Sequence, residues 1–489
     1  MKLSALPAVL LPFVPLARQA AAAPLGNADA EAMASQRILE LQARYQQNIL
    51  DVIKNRTSGC TAQTIQRRKE WTALSLEDRA AFISAIHCLN ALPARTPQST
   101  APGARAVYDD FIVAHILQTP FVHASGLFLP FHRHFLHLFA GALRDRCGYG
   151  GPLPYWDWTT SWADPRTAAV FDGGPLSLGG NGAFVPGRNG TVIALPGGAR
   201  QVIPPATGGG CVTTGPFREG RFEVRLGPVA FEPRGPQGGL GYNPRCLRRD
   251  LSPHFSAGTH PAAVVALLDG CGGDLGCVVR DMDAPGGVPG GVHASGHWQV
   301  GPDALDVFAS PSDPVFWLHH AQVDRLWTIW QGLDVGARTY QVWGTATAAN
   351  DPPSDDVTLE TLMDFGILGE AKTVGEVAST VDGEYCYMEP FATRDSASVA
   401  CRAPSGTTTA AAAATADGFV DVSDGISMLA GIPLGRPTVV GREAVVAHQQ
   451  AQPDNLPLQV THAAPVSCTE IALIWQATPK AARRAAIEG

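Results

Sequence analysis

Six histidines of this 489-residue chain fall into two separated groups of three. The first group is His115, His123 and His132, and the second group is His293, His297 and His320. Imidazole is the commonest metal ligand among protein side chains, and two sets of three imidazoles in one chain favour two neighbouring metal ions. Three nitrogens with an open coordination position suit a redox-active metal better than a closed structural site. The spacing therefore predicts a dinuclear metal centre that reacts with oxygen.

The second group is positioned by helical spacing. His293 and His297 are four residues apart, so on a helix both rings leave from the same face. His320 lies in a stretch with helical pattern, from Pro314 through Trp330, which can return antiparallel to the first pair. One turn after His320, Asp324 is placed to accept a hydrogen bond from a ring N–H and so to fix the tautomer of a ligand.

The first group follows the same logic. His115 lies on a predicted helix over 108–118, His123 lies in the connection, and His132 begins a second predicted helix over 131–146. Two antiparallel helices with a loop ligand between them can bring three nitrogens to one ion. The interior of a helix bundle is the usual place for such a site.

Neighbouring histidines compete for these roles. Relative to His132, helical geometry turns His134 by about 200° and His137 by about 140°, so one face cannot present all three rings. His319 and His320 diverge by about 100°, so only one of the two can face a metal directly. Geometry alone does not say which one.

Helical pattern also covers residues 30–53, 75–89, 260–268 and 291–297. Glycine and proline dominate between about 172 and 244, which predicts irregular loops with short strands. We therefore predict a mainly α fold. Its core is a four-helix bundle that holds the metal centre, and long Gly/Pro-rich loops and a few short strands surround it.

Composition and the N-terminus indicate a soluble, secreted protein. The chain is 45% hydrophobic and 16% charged, and its net charge of -8 argues against nucleic acid or an anionic membrane as partner. Residues 1–23 resemble a signal peptide, with basic Lys2, an apolar run and small residues before the cleavage point. The run is too short and too rich in proline to anchor the chain in a membrane, and its prolines disfavour a buried helix.

Secretion gives the ten cysteines a meaning, since an even number in an oxidising compartment favours disulfides. Cys271 and Cys277 can close a local loop, and the other pairings stay open. Asn55 and Asn189 begin glycosylation sequons. We divide the mature chain into a domain that holds the metal centre, at 24–390, and a C-terminal extension at 391–489, which contains an Ala-rich linker.

Two long segments carry a family resemblance. HILQTPFVHASGLFLPFHRHFLHLFAGALRDRCGYGGPLPYWDW and HASGH…SDPVFWLHHAQVDRLWTIWQ resemble the type-3 copper family of tyrosinases, catechol oxidases and related oxygen carriers. The spacing in the first group is most similar to short secreted fungal phenol oxidases. The resemblance runs from about Arg67 to Tyr387 and includes a Tyr-x-Tyr element at 385–387. It implies two copper ions, one on each histidine group, and it favours His320 as the ligand, with His319 in support.

The resemblance also bears on substrate. Phe316 matches an aromatic residue that packs over the ligand rings, and Phe121 replaces a cysteine that many fungal members crosslink to a histidine, so no thioether is expected. Ala294 stands where members that hydroxylate monophenols have an asparagine, and Trp298 is bulky enough to narrow the entrance. We therefore predict that O2 is used to oxidise o-diphenols or o-aminophenols to o-quinones, with weak or no monophenol hydroxylation. The dicopper centre carries the chemistry, and no side chain is required as acid, base or nucleophile.

Other functions remain open at this point. A full tyrosinase and a non-catalytic oxygen carrier would use the same copper centre. A two-zinc hydrolase normally recruits bridging carboxylates, which these clusters lack. A secreted binding protein would fold without metal. The C-terminal extension either covers the active site until it is cleaved or is a loosely packed appendage. The expected partners are O2 and a small phenol.

Overall fold

The structure, a computed structural model, describes five stretches of the chain. They are residues 28–194, 200–283, 290–389, 445–448 and 459–463. The chain divides into two units, at 1–391 and 392–489. The predicted signal peptide and Ala-rich linker lie outside the described residues.

Helices build the first unit. Its α-helices are α1 (Ala28–Ile53), α2 (Leu76–Ala91), α3 (Val107–Val122), α4 (Phe128–Cys147), α5 (Pro253–Ser256), α6 (Pro261–Val265), α7 (Leu275–Asp283), α8 (Val292–Trp298), α9 (Pro302–Leu305), α10 (Val315–Gly332), α11 (Val335–Arg338) and α12 (Val374–Val377). Short 3-10 turns join several of them.

The described strands are short and form two-stranded pairs. They are β1 (Gln66–Arg67), β2 (Gly182–Phe184), β3 (Thr191–Ala194), β4 (Arg200–Ile203), β5 (Gly209–Val212), β6 (Leu362–Met363), β7 (Lys372–Thr373), β8 (Tyr387–Met388), β9 (Val445–His448) and β10 (Gln459–Ala463). β1 pairs in parallel with β8, and the antiparallel pairs are β2 with β5, β3 with β4, β6 with β7, and β9 with β10 in the second unit. The predicted mainly α fold with few short strands is confirmed.

Helix α10 is the centre of the first unit. Every residue from Val315 to Gly332 is buried, and the helix packs against α1, α4 and α8. A helix that is buried on all faces lies in the core of a protein, with neighbours on every side. The histidine groups lie on this helix, on its neighbours α4 and α8, and on α3, which packs against α4.

Two helix positions differ from the sequence prediction. Helix α4 starts at Phe128, so Pro130 lies inside its first turn rather than ahead of it. The first four N–H groups of a helix have no partner within the helix, so a proline costs little there. Helix α7 was not predicted, because its sequence follows a Gly-rich stretch. Its buried residues Leu275, Val278 and Met282 nevertheless repeat at helical spacing.

Four disulfides connect the described cysteines. The pairs are Cys60–Cys386, Cys88–Cys147, Cys211–Cys246 and Cys271–Cys277. The predicted local loop between Cys271 and Cys277 is confirmed. Cys401 and Cys468 lie outside the described residues.

A buried charge network joins α4 and α10. The Asp324 carboxylate accepts hydrogen bonds from Arg133 Nε at 2.7 Å and from Arg68 at 2.7 Å. Tyr387 Oη donates to the same carboxylate at 2.6 Å. Burial alone would raise the pKa of Asp324, but the two guanidinium charges outweigh it and hold the pKa below its usual range. The network therefore ties α4, α10 and the β1–β8 pair together through one ionised carboxylate.

We predict that Asp324→Asn lowers the free energy of unfolding by about 3–5 kcal/mol, because it removes the counter-charge of buried Arg133 and leaves buried Arg68 with Glu389 at 3.5 Å as its carboxylate partner. Denaturant titration of the purified variant measures this change. Asp145→Asn is the control, since its pair with Arg144 is well exposed and should change stability by less than about 0.5 kcal/mol. Equal effects of the two substitutions would contradict the role given to the buried network.

Candidate metal centre

The two predicted histidine groups converge on one place in the first unit. In the first group the ring centroids are 5.1 Å apart for His115 and His123, and 5.2 Å apart for His123 and His132. In the second group His293, His297 and His320 form a triangle with centroid distances of 4.8, 5.1 and 5.1 Å. The rings of His132 and His320 stack at 4.2 Å, so the two triangles are adjacent.

Backbone carbonyls fix the orientation of the first group. Nδ1 of His115 lies 2.8 Å from the Phe308 carbonyl oxygen, and Nδ1 of His132 lies 2.8 Å from that of Phe128. His123 Nδ1 faces the Thr119 carbonyl at 3.3 Å. A carbonyl oxygen can only accept, so each Nδ1 carries the proton and each Nε2 keeps a free lone pair.

The second group is held by a more varied set of partners. His297 Nδ1 donates to the Ala304 carbonyl at 2.8 Å. His293 Nδ1 donates a hydrogen bond to the carboxylate of Asp283. His320 Nδ1 has no hydrogen-bond partner among the described residues. In this group too, the rings of His293 and His297 present Nε2.

These nitrogens fit a metal. Nε2 of His115, His132, His293 and the neighbouring His319 are buried without a hydrogen-bond partner in the described part of the chain, which is costly unless another group occupies the space. Within each group the ligand atoms lie within 4.8 Å of one another. Nε2 of His297 and of His320 are 3.1 Å apart. At a metal–nitrogen distance of about 2.0 Å they would subtend about 100° at one ion.

Comparison with known proteins identifies the family. The model described as the common central domain of tyrosinase matches residues 105–333. Tyrosinase P of Aspergillus terreus is 42% identical over 329 residues, which cover 65% of this chain and 90% of that protein. N-acetyl-6-hydroxytryptophan oxidase of Emericella nidulans is 39% identical over 347 residues, which cover 67% and 93%.

The chain belongs to the tyrosinase family. A solved variant of polyphenol oxidase from Thermothelomyces thermophila superposes with a TM-score of 0.68 at 38% identity, covering 73% of this chain and 98% of that one. The predicted resemblance to the type-3 copper family is thereby confirmed, and so is the predicted cofactor. The centre of this tyrosinase-family oxidase takes a pair of copper ions, and its two clusters of imidazoles fit them.

A second family model, for an NTF2-like domain, matches residues 396–489. From the sequence we predicted here only an extension with an Ala-rich linker. Most of it lies outside the described residues. No helix among the described residues is long and apolar enough to cross a membrane.

His319 lies close to the second group, but its Nδ1 accepts a hydrogen bond, unlike the Nδ1 atoms of His293 and His297. Its ring lies 4.3 Å from that of His297, and the indole N–H of Trp158 donates to its Nδ1 at 3.1 Å. That donation uses the Nδ1 lone pair, so the neutral ring carries its proton on Nε2 and has no lone pair for a metal. Gly296 permits this close packing, because a Cβ there would lie 2.1 Å from the His319 ring.

His134 and His137 lie on the other side of α4, as their helical angles predicted. His134 Nδ1 is 2.5 Å from the hydroxyl of Tyr385, and His137 faces the carboxylate of Glu384 at 3.5 Å. Both belong to the contacts that hold the Tyr-x-Tyr element against α4.

Asp324 requires a correction. We expected its carboxylate to accept a hydrogen bond from a ligand ring, but it accepts from Arg68, Arg133 and Tyr387. The Asp324 side chain lies one helical turn from His320, as expected. Its oxygens, however, accept hydrogen bonds from two arginines that are distant in the sequence and adjacent in the fold. Asp324 thus positions the ligand helices and not a ring.

Two residues of the centre were missed from the sequence. Asp283 binds His293 from the end of α7, the helix that was not predicted. Phe128 lies between the groups, with its ring 5.0 Å from that of His132 and 4.6 Å from that of His293. A phenylalanine four residues before a candidate ligand was a usable signal, since such pairs share a helix face.

The aromatic residue Phe316 lies over the centre, 4.3 Å from the His320 ring and 5.2 Å from the His115 ring. Ala294 and Trp298 belong to a small apolar cluster with Phe255. The Trp298 ring packs edge-on against Phe255, with the ring centroids 5.5 Å apart. This contact does not test whether Trp298 narrows the entrance, which stays a prediction.

The other predicted positions lie on the surface. Phe121 is 44% exposed near the end of α3, two residues before His123. Asn55 and Asn189 are exposed.

Burial favours the neutral form of five of the six rings. It lowers the pKa of His115, His132, His297 and His320 well below the ordinary value, and the neighbouring imidazoles lower it further. Burial likewise lowers the pKa of His123 to about 4. Neutral imidazoles are the form that binds a metal.

We predict that the metal-free protein loses stability as pH falls from 6.5 towards 4. The unfolded chain takes up protons on these histidines near pH 6.5, whereas the folded centre does not. The free energy of unfolding is therefore highest above pH 6.5. Below pH 6.5, each such ring lowers it by about 1.4 kcal/mol per pH unit. Urea titrations of wild type and His123→Asn isolate the share of one ring. If the free energy of unfolding had the same pH dependence in both proteins, the lowered pKa of His123 would be contradicted.

Proposed function

We propose that His115, His123 and His132 hold one copper ion and that His293, His297 and His320 hold the other. The observation that carries this assignment is the meeting of two imidazole triangles, in which Nε2 of His115, His132 and His293 is buried without a hydrogen-bond partner among the described residues. The hydrogen bonds at Nδ1 support it, because they keep the lone pairs directed inward. His319 is the neighbour whose lone pair is already used by Trp158.

We infer that the reaction is oxidation by O2 of o-diphenols to o-quinones, or of o-aminophenols to the corresponding o-quinone imines. When bound, the copper pair supplies the path by which two electrons leave the diphenol and reduce oxygen. His123 and His297 are partly exposed while the other four proposed ligands are buried, which favours substrate approach on their side. Phe128 and Phe316 give the centre apolar walls suited to an aromatic ring.

Weak monophenol hydroxylation is part of the proposal. A monophenol must lose its proton before it can react in the same way, and a side chain that orients a water could take that proton. Ala294, next to His293, offers a methyl group in that position. Among the described residues, the carboxylate in contact with the proposed ligand rings is Asp283, which is already engaged with His293.

We propose that the protein is secreted. Its support is the signal-like sequence at 1–23 together with four disulfides, which form in oxidising compartments. The exposed sequon residues Asn55 and Asn189 are accessible to glycosylation.

A substrate panel on the copper-loaded protein tests the proposed reaction. It contains tyrosine, a catechol, an o-aminophenol and a hydroxyindole, the last because one relative is named for oxidising a hydroxytryptophan. We expect rapid O2 uptake with the catechol or the aminophenol and a tyrosine rate lower by at least about tenfold, which is about 1.4 kcal/mol of barrier. Comparable rates for tyrosine and catechol would favour a full tyrosinase, and reversible O2 binding without turnover would favour a carrier.

A pair of adjacent substitutions tests the ligand assignment. We predict that His320→Gln reduces the copper content from two ions per chain to one, because it removes a ligand from the second group. His319→Gln should keep both ions, since its ring has no lone pair to give. Elemental analysis after dialysis measures the content. Loss of copper from the His319 variant alone would reverse the assignment.

A further inference from the structure

The acceptors around the proposed ligands differ in charge. His115, His123, His132 and His297 each direct Nδ1 at a neutral backbone carbonyl. His293 directs Nδ1 at the carboxylate of Asp283. Among the described residues, this is the only charged acceptor on any of the six rings, and it belongs to the second group.

The fold places Asp283 there by close packing of α7 on α8. Gly291 precedes α8, and a Cβ at this position would lie 2.2 Å from the Asp281 carbonyl oxygen and 2.3 Å from that of Met282. The backbone N–H of Gly291 donates to the Asp283 carbonyl at 3.2 Å. The end of α7 can therefore approach the start of α8 closely enough for the Asp283 side chain to reach the His293 ring.

The other contacts of α7 hold this end in place. Val278 and Met282 are fully buried in the main core, and the Cys271–Cys277 disulfide closes the loop at the start of the helix. Asp283 is the last residue of α7, where the helix dipole disfavours a negative charge. The carboxylate is thus held at an electrostatically unfavourable position, where its partner is the His293 ring.

We propose that Asp283 is a positioning residue for the second copper ion. Its carboxylate holds the proton of His293 on Nδ1, which leaves the lone pair on Nε2, and its negative charge makes that nitrogen a stronger donor. The first group lacks a charged acceptor among the described residues, so the effect is confined to one of the two ions. This inference rests on the ligand assignment proposed above, but not on the proposed substrate.

The test measures copper binding in the absence of substrate and oxygen. Metal-free protein is titrated with Cu(I) under anaerobic conditions against a competing chelator, which gives two binding constants. We expect Asp283→Ala to weaken one constant by about 10–100-fold and to leave the other unchanged, as is typical for loss of a partner of a metal-bound histidine. Asp283→Asn should give an intermediate loss, because the amide oxygen still accepts from Nδ1 but carries no charge.

Asp281→Asn is the matched control. It removes the same charge from the same helix at an exposed position that contacts the disulfide sulfurs and not a histidine. It should leave both constants at the wild-type values. Thermal unfolding of the metal-free variants shows whether each one is folded.

Two backgrounds show which ion is affected. With His132→Gln, only the second group remains intact, and adding Asp283→Ala should weaken the remaining site. With His297→Gln, only the first group remains intact, and Asp283→Ala should change nothing. Wild-type constants for Asp283→Ala, or equal weakening of both constants, overturn the proposal. Failure of the wild-type protein to oxidise catechols would instead overturn the proposed reaction and leave this result standing.

Discussion

The copper centre depends on one buried ion pair, between Arg133 on α4 and Asp324 on α10. Arg133 follows His132 directly, and Asp324 lies one turn after His320, so the pair fixes how closely the helices of the two histidine groups approach. The result is the 4.2 Å stacking of His132 on His320. Burying charges is expensive, and here every donor of Arg133 is used, by Asp324, two backbone carbonyls, Thr328 and Gln331. Its guanidinium also lies 3.6 Å from the Trp327 ring.

Polar and apolar layers have separate tasks in this arrangement. The charged network of Arg133 and Asp324 lies beside the histidines of α4 and α10 and joins these helices to the Tyr-x-Tyr element, which the Cys60–Cys386 disulfide connects to the region after α1. The imidazoles themselves lie between Phe128 and Phe316. Hydrogen bonds to backbone carbonyls set the tautomers, so most rings need no charged partner. The buried ion pair thus holds in place a set of imidazoles, a ligand type that suits copper.

The sequence predicted those parts of the centre that follow from local geometry. Helix periodicity alone was enough to place His293 and His297 on one face and to separate His132 from His134. The family resemblance identified the metal as copper. Contacts between residues that are distant in the sequence could not be predicted from it. Asp324 has the expected position but binds arginines from distant segments, and Asp283 reaches His293 only because Gly291 lets α7 approach. Disulfide pairing depends on the same distant contacts, so only the local Cys271–Cys277 loop could be predicted.

The central claim is that each ion is held by three Nε2 atoms, one set from each histidine group. An anomalous difference map, recorded at the copper absorption edge from crystals of the copper-loaded protein, tests it most directly. We expect two peaks, one about 2.0 Å from Nε2 of His115, His123 and His132, and the other at the same distance from Nε2 of His293, His297 and His320. A single peak, or a peak bonded to His319 in place of His320, would contradict it.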